Sequence, residues 1–212
     1  MISIDLEKKI NTYQGKQTLK ISATFPAGSI IKVFGESGAG KTTFLKMMAG
    51  FILPETGKII IAGESWLDTV AGLNLPPQKR RTGFVFQDYA LFPHMNVLQH
   101  LQYASNDTQW INRLLKAGKL ETLVNHTPQF LSGGQQQRLA ILRALSIRPK
   151  LMLMDEPFSA LDFENKTALI SELKQLFLEL GTTVFIASHN PQEIEGLSAD
   201  YANIFELVIK HL

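Results

Sequence analysis

Eight consecutive residues, Gly35-Glu36-Ser37-Gly38-Ala39-Gly40-Lys41-Thr42, fit the spacing G-x-x-x-x-G-K-[ST] at every fixed position. Each fixed residue type answers one need of a phosphate chain. Glycines let the backbone turn tightly enough for successive amide N–H groups to converge on the anion. Lys41 is placed to neutralise β- and γ-phosphates, and the Thr42 hydroxyl to ligate Mg²⁺. A helix beginning near Lys41 adds the positive end of its dipole. By composition such a pattern arises by accident in only ~1% of chains of this length. A chance glycine turn would also leave its flanks unexplained: an apolar run, SIIKVF, before it and a helical pattern over residues 42–49 after it. The pattern predicts a nucleotide site.

A second group of candidates ends another apolar run, Leu151-Met152-Leu153-Met154-Asp155-Glu156-Pro157. In open α/β sheets ligands collect at the carboxyl ends of strands. Asp155 can hold Mg²⁺ through water, and Glu156 is the better candidate for polarising an attacking water, because adjacent strand residues point to different sides. Taken alone, a hydrophobic run ending in two acids is usually structural. Beside a phosphate loop the functional reading is the stronger.

The third group is Leu131-Ser132-Gly133-Gly134-Gln135, at the head of a helical pattern over residues 135–147 that Pro149 closes. Ser132 with Gln135 three residues later fits a capping box, an ordinary helix start. Two glycines lower helix propensity, so capping alone does not call for them. They would let backbone amides approach an anion. One chain then carries two phosphate-binding helix ends, while one nucleotide needs its γ-phosphate clamped from two sides. Two copies packed head to tail, each supplying one half of each site, would satisfy both.

The elements that must position these residues follow from patterning. Residues 2–6, 18–21 and 58–61 are short β-branched or aromatic runs bounded by Gly, Pro, Asn or charge, as antiparallel strands often are. Residues 29–34, 151–154 and 183–187 are almost wholly apolar, as strands buried on both faces of a parallel sheet are, with 83–86 a fourth. Helical patterns at 42–49, 135–147 and 165–180 lie between them. This alternation predicts an α/β core. Residues from about 88 to 131 are rich in Gln, Asn and His, with helix-like stretches at 97–103 and 108–116, and read as a small helical insertion. Pro76-Pro77 with Lys79-Arg80-Arg81 reads as an exposed, solvated basic turn.

Composition narrows the function classes. The 212 residues are 45% hydrophobic, enough for one domain with a sizeable core. A net charge of +2 gives no electrostatic case for a nucleic-acid partner. The absence of cysteine excludes disulfides, zinc-thiolate sites and cysteine nucleophiles. No apolar run approaches the ~18 residues that span a bilayer, and Asp5, Glu7, Lys8 and Lys9 break any signal-peptide core. These features predict a cytosolic chain.

Taken together, GESGAGKTT, LSGGQQQR, LMLMDEP, the SALD at Ser159–Asp162, Gln87 after GFVF, and His189 after TVFIAS resemble the ATP-binding-cassette ATPases. All six occur in the family's order and cover nearly the whole chain. The resemblance implies a RecA-like P-loop core with an antiparallel β-subdomain, residues 1–87 and 142–212, and a helical subdomain at about 88–141 that carries the signature. It implies ATP as nucleotide with Mg²⁺, and a homodimer with two ATP molecules sandwiched between phosphate loop and signature. Position by position, it makes Gln87 a Mg²⁺ and water contact, and His189 a contact of the γ-phosphate. It makes Asp162 an aspartate that crosses the dimer interface, and Thr43 a neighbour of the phosphates. Tyr13, 28 residues before Lys41, stands where the family places an adenine-stacking aromatic. Of five histidines only His189 follows a buried strand at the site's edge, so 94, 100, 126 and 211 read as surface residues.

The stretch LPPQKRRTGFVFQDYALFPHMNV is similar to an importer branch of the family and most closely to its molybdate-type members. There, the segment after Gln87 receives a helix of a membrane permease. The resemblance therefore implies a peripheral subunit on the inner face of the cell membrane, partnered by permease subunits and, through them, a solute-binding protein. The chain ends 23 residues after His189, so the regulatory β-domain that many such importers add is expected to be absent. A soluble cassette acting on DNA or ribosomes is the alternative, though such relatives usually carry coiled-coil arms or tandem cassettes. A P-loop kinase or GTPase would leave Ser132-Gly133-Gly134-Gln135 unexplained.

Overall fold

The computed structural model describes residues 1–12, 15–36, 38–189, 202–206 and 209–210. Tyr13, Ser37 and His211 therefore lie outside the described residues. The chain runs β1 (Ile2–Thr12), β2 (Gly15–Phe25), β3 (Ile30–Phe34), α1 (Lys41–Ala49), β4 (Thr56–Ile61), β5 (Glu64–Asp68), β6 (Leu73–Asn74), α2 (Pro77–Arg80) and β7 (Thr82–Val85). It continues α3 (Val97–Gln102), α4 (Thr108–Ala117), α5 (Gly133–Ser146), β8 (Leu151–Asp155), α6 (Phe163–Leu180), β9 (Thr183–Ala187), β10 (Ala202–Glu206) and β11 (Ile209–Lys210).

Two sheets result. An antiparallel sheet has the order β11-β2-β1-β4-β5-β6, and a parallel sheet the order β10-β3-β9-β8-β7. The parallel strands are mostly apolar because both their faces are covered, although β3 buries Lys32 and β8 ends in the buried Asp155. Leu151, Leu153, Phe185 and Ala187 point into one core with α1 and the antiparallel sheet, while Met152, Met154, Val184 and Ile186 point into the other with α5 and α6. Helix α1 is thus buried between the sheets through Phe44, Leu45, Met47 and Met48. Helix α6 shows the expected stripe, burying Leu169, Ile170, Leu173, Leu176 and Phe177. Burial of each such side chain is worth about 1.5–3 kcal/mol. Among the described residues no helix is long and apolar enough to cross a membrane.

Three expectations need correction. The first two strands are longer than read, paired in register from Ile2 with Phe25 to Thr12 with Gly15. Their distal halves carry Lys8, Lys9 and Lys16 and bury Gln17 and Thr18 beside Leu19, so polar and charged side chains hide the apolar period of 2 that the proximal halves show. Arg80 does not sit in a solvated turn: it is 2% exposed. His100 is fully buried rather than at the surface, its Nδ1 2.8 Å from Asn96 O and its Nε2 accepting the Phe92 N–H at 2.9 Å. Burial holds this imidazole below its ordinary pKa, and an accepting Nε2 is the neutral tautomer's signature.

Between β7 and β8, helices α3 and α4 pack on α5. Asp107 caps α4, accepting the Trp110 N–H at 2.9 Å, and its second oxygen takes Arg148 at 2.7 Å. These two bonds, the backbone one first, hold the Asp107 carboxyl below its ordinary 3.8. A depressed folded pKa gives stability that is complete above the unfolded value and lost as pH falls through the folded one. Asp107→Ala is accordingly expected to melt earlier than the unmodified chain at pH 7. The gap should close as the pH is taken below about 3.8; thermal melts at several pH values check this.

Candidate functional site

The order of the parallel strands decides which residues meet. Strands β3, β9, β8 and β7 are neighbours, and their carboxyl ends lead into the phosphate loop, His189, Asp155-Glu156 and Gln87 respectively. A cavity of about 580 Å³ opens there, lined by Gly38, Ala39, Gly40, Lys41, Thr42, Thr43, Gln87, Asp155, Glu156, Ser159 and His189. That size suits a small-molecule ligand.

Local geometry explains each wall. Gly40 caps α1 at φ +85°, a left-handed conformation, and a Cβ there would also come within 3.0 Å of the Leu19 side chain. Helix α1 therefore aims its N-terminus into the cavity. Lys41 Nζ donates to Gly35 O at 2.7 Å and to Glu36 O at 3.1 Å, bridging the loop it belongs to. The Thr42 hydroxyl donates to Asp155 Oδ2 at 2.6 Å. That carboxylate is only 3% exposed, so the bond also satisfies a buried acceptor.

Glu156 stands just past β8 at φ +49°, a conformation that costs a non-glycine residue about 1–2 kcal/mol. Three bonds hold it there. Its N–H donates to Ala187 O at 3.0 Å, and its carbonyl accepts Gln137 Nε2 at 3.3 Å and Ser159 Oγ at 3.2 Å. The kink turns the side chain so that Oε2 lies 3.0 Å from His189 Nδ1. Gln137, fully buried on α5, also accepts the Ala160 N–H at 3.2 Å. Sequence reading missed Gln137 and Ser159, although both stand inside quoted stretches. Only the packing of α5 against this turn shows their part.

The Ser132–Gln135 segment does not line the cavity. Its capping box is present: Ser132 Oγ accepts the Gln135 N–H at 3.3 Å, and Gln135 Oε1 accepts the Ser132 N–H at 2.8 Å. The amides of Gly133 and Gly134 lie between, in the first turn, where no intrahelical acceptor exists. Gly134 has a packing reason too, since a Cβ there would stand 3.0 Å from Leu161 Cδ2 and 3.4 Å from Ala160 O. Asp162 also lies away from the cavity. It caps α6, accepting the Asn165 N–H at 2.9 Å and Asn165 Nδ2 at 2.6 Å, which hold its pKa low.

The family model for ABC transporters matches residues 19–159, two-thirds of the chain and most of the residues just described. This chain belongs to that family. The cassette is 38% identical over 201 residues to the molybdenum import ATP-binding protein ModC of Hahella chejuensis, covering 92% of this chain and 56% of that protein. The ModC of Escherichia coli O6:K15:H31 is 38% identical over 203 residues, covering 95% and 57%. The chain therefore spans a little over half the length of these curated relatives. Among solved structures it is similar to the ATP-binding cassette MJ0796 in a dimeric, post-hydrolysis state bound to ADP and Pi. That likeness has a TM-score of 0.79 at 29% identity, over 98% of this chain and 94% of that one. Structural neighbours of this kind, with one antiparallel and one parallel sheet here, give a P-loop ATPase cassette fold.

Proposed function

We propose that this cassette binds and hydrolyses ATP as a subunit of an ABC importer, with molybdate as the solute. The single observation that carries the ATPase half is the shared cavity. Phosphate loop, Asp155, Glu156, Gln87 and His189 line one pocket although they lie up to 151 residues apart. The importer half rests on likeness to ModC proteins, which are named for molybdenum import.

In this reading Lys41 and the amides of Gly38, Gly40, Thr42 and Thr43 hold the phosphates, with α1's dipole behind them. Gly35 and Ala39 shape the loop, Ser37 adds a hydroxyl, and Tyr13 stacks on the adenine. Thr42, Asp155 and Gln87 offer oxygen ligands of the kind that Mg²⁺ prefers, and the 2.6 Å hydrogen bond from Thr42 to Asp155 supports this grouping. Among the described residues no cluster of three or more His, Asp or Glu side chains could hold a metal alone. That suits an ion held by one carboxylate and the substrate's own phosphates. When bound, Mg²⁺ would neutralise charge on the phosphates. Glu156 then orients the attacking water and takes its proton, and His189 holds the γ-phosphate.

Ser132, Gly133, Gly134 and Gln135 act on the ATP of a second copy, with Asp162 at the same interface. Two observations support the dimer: these residues lie outside their own chain's cavity, and the MJ0796 cassette is dimeric. Residues 88–141 serve as the helical subdomain, and the segment after Gln87 meets the permease at the inner face of the membrane.

A pull-down from native membranes tests the partner, using tagged Glu156→Gln held closed by MgATP. Co-elution of a polytopic permease is expected, and its binding protein should take molybdate. Ribosomes or nucleic acid without a membrane protein would leave the ATP chemistry standing and remove the transport claim.

A further inference from the structure

Arg80 does not line the cavity, yet among the described residues it is the largest fully buried side chain. Among the described residues no carboxylate pairs with it. Its charge is met by carbonyls and one amide oxygen. Nη1 donates to Met47 O at 3.0 Å and Met48 O at 2.8 Å, Nε to Leu75 O at 2.8 Å, and Nη2 to Asn74 Oδ1 at 3.0 Å. The guanidinium also lies 5.8 Å from the centre of the Trp66 ring.

Met47 and Met48 are in the last turn of α1, the helix whose first turn is Lys41 and Thr42. Met47 O also accepts the Gly50 N–H at 3.0 Å; Arg80 adds a second donor there, meets Met48 O, and sets a buried cation at the negative end of the helix dipole. Gly50 makes room: a Cβ there would stand 2.8 Å from Arg80 Cζ, and its φ of +83° suits glycine. On its other side Arg80 leads, two residues later, into β7, whose carboxyl end delivers Gln87. Helix α1 and the β7–Gln87 segment are two walls of the cavity. Behind the cavity, they are joined at one planar side chain.

We infer that Arg80 is a positioning residue for the nucleotide site, fixing the pitch of the phosphate-loop helix relative to β6 and β7 from the helix's far end. The inference rests on the nucleotide-binding reading. Nine helical residues make a rod of about 13 Å, so a shift at Met48 is carried to Lys41 rather than absorbed. A lysine carries its three donors on one nitrogen and cannot span acceptors that here meet Nε, Nη1 and Nη2, whereas the guanidinium fork does.

The test compares Arg80→Met, Arg80→Lys and the unmodified chain for MgATP affinity by calorimetry, and for saturating kcat, well below each melting temperature. Arg80→Met should raise Kd roughly tenfold, because misplacement of a binding element is felt at the ligand. Saturating kcat should fall by no more than about threefold, since Glu156 and His189 follow β8 and β9, to which Arg80 makes no hydrogen bond. Arg80→Lys should recover part of the affinity. If Arg80→Met does not fold, Gly50→Ala displaces the guanidinium without removing it and should raise Kd in the same sense. A lower melting temperature with Kd unchanged in the folded variants would reduce Arg80 to packing and overturn the inference. Failure of the unmodified chain to bind MgATP would instead remove the nucleotide reading, and this inference with it.

Discussion

Glu156→Gln is expected to keep its affinity for MgATP and to lose about 10²–10⁴-fold in kcat, the range in which a general base contributes. The substitution isolates the carboxylate from the fold. All three bonds that hold the kink at residue 156 use its main chain, to Ala187, Gln137 and Ser159, so a glutamine inherits the same placement. An amide of the same shape can still meet His189 and still hydrogen-bond a water, but it cannot take that water's proton. Removing a negative charge beside the γ-phosphate also favours the ATP-bound state. Phosphate release under single-turnover conditions measures the first effect, and calorimetry with MgATP the second. The same variant should accumulate as a closed dimer on size-exclusion chromatography. Unchanged single-turnover rates would take Glu156 out of the proton-accepting role.

Lys41→Ala should act on the other half of the cycle, weakening MgATP binding before any chemistry. The Lys41 ammonium holds Gly35 O and Glu36 O, bracing the start of the loop against the first turn of α1. With ATP bound, it would exchange these carbonyls for phosphate oxygens. A hydrogen bond to a charged group is worth about 1.5–3 kcal/mol, so its loss should weaken binding roughly 10- to 150-fold. Equilibrium binding of MgATP at fixed ionic strength reads this directly. ATP affinity equal to that of the unmodified chain would count against the cradle. The two variants separate cleanly: one keeps binding and loses turnover, the other loses binding.

Much of the site was legible in sequence because its chemistry is local. A phosphate loop needs closely spaced glycines, here Gly35, Gly38 and Gly40, followed by Lys41 and Thr42, so one peptide segment carries nearly the whole pattern. Asp155 and Glu156 were legible because the apolar run before them marks a strand covered on both faces, and in open α/β sheets ligands collect at the carboxyl ends of such strands. His189 and Gln87 each follow a mostly apolar strand by two residues. Their function, however, was read through family resemblance. The capping box at Ser132–Gln135 was legible for the same local reason: donor and acceptor lie three residues apart.

What only the tertiary structure decided depends on which distant segments touch. Composition marks Lys79-Arg80-Arg81 as a charge run, and charge runs are usually solvated. The fate of Arg80 turned on the carbonyls of Met47 and Met48, more than 30 residues away at the end of α1, both of which its Nη1 meets. His100 was placed by Asn96 O and the Phe92 N–H, and Gln137 by a turn on the far side of β8. Strand order was also beyond the sequence. Apolar patterning says that β3, β7, β8 and β9 are buried, but any of several pairings would bury them equally. The observed order sets four carboxyl ends side by side and so makes one cavity from four loops. Side-chain type and short spacing determined what each residue could do. Long-range packing, through unsatisfied backbone groups and the pairing of strands, decided which of them act together.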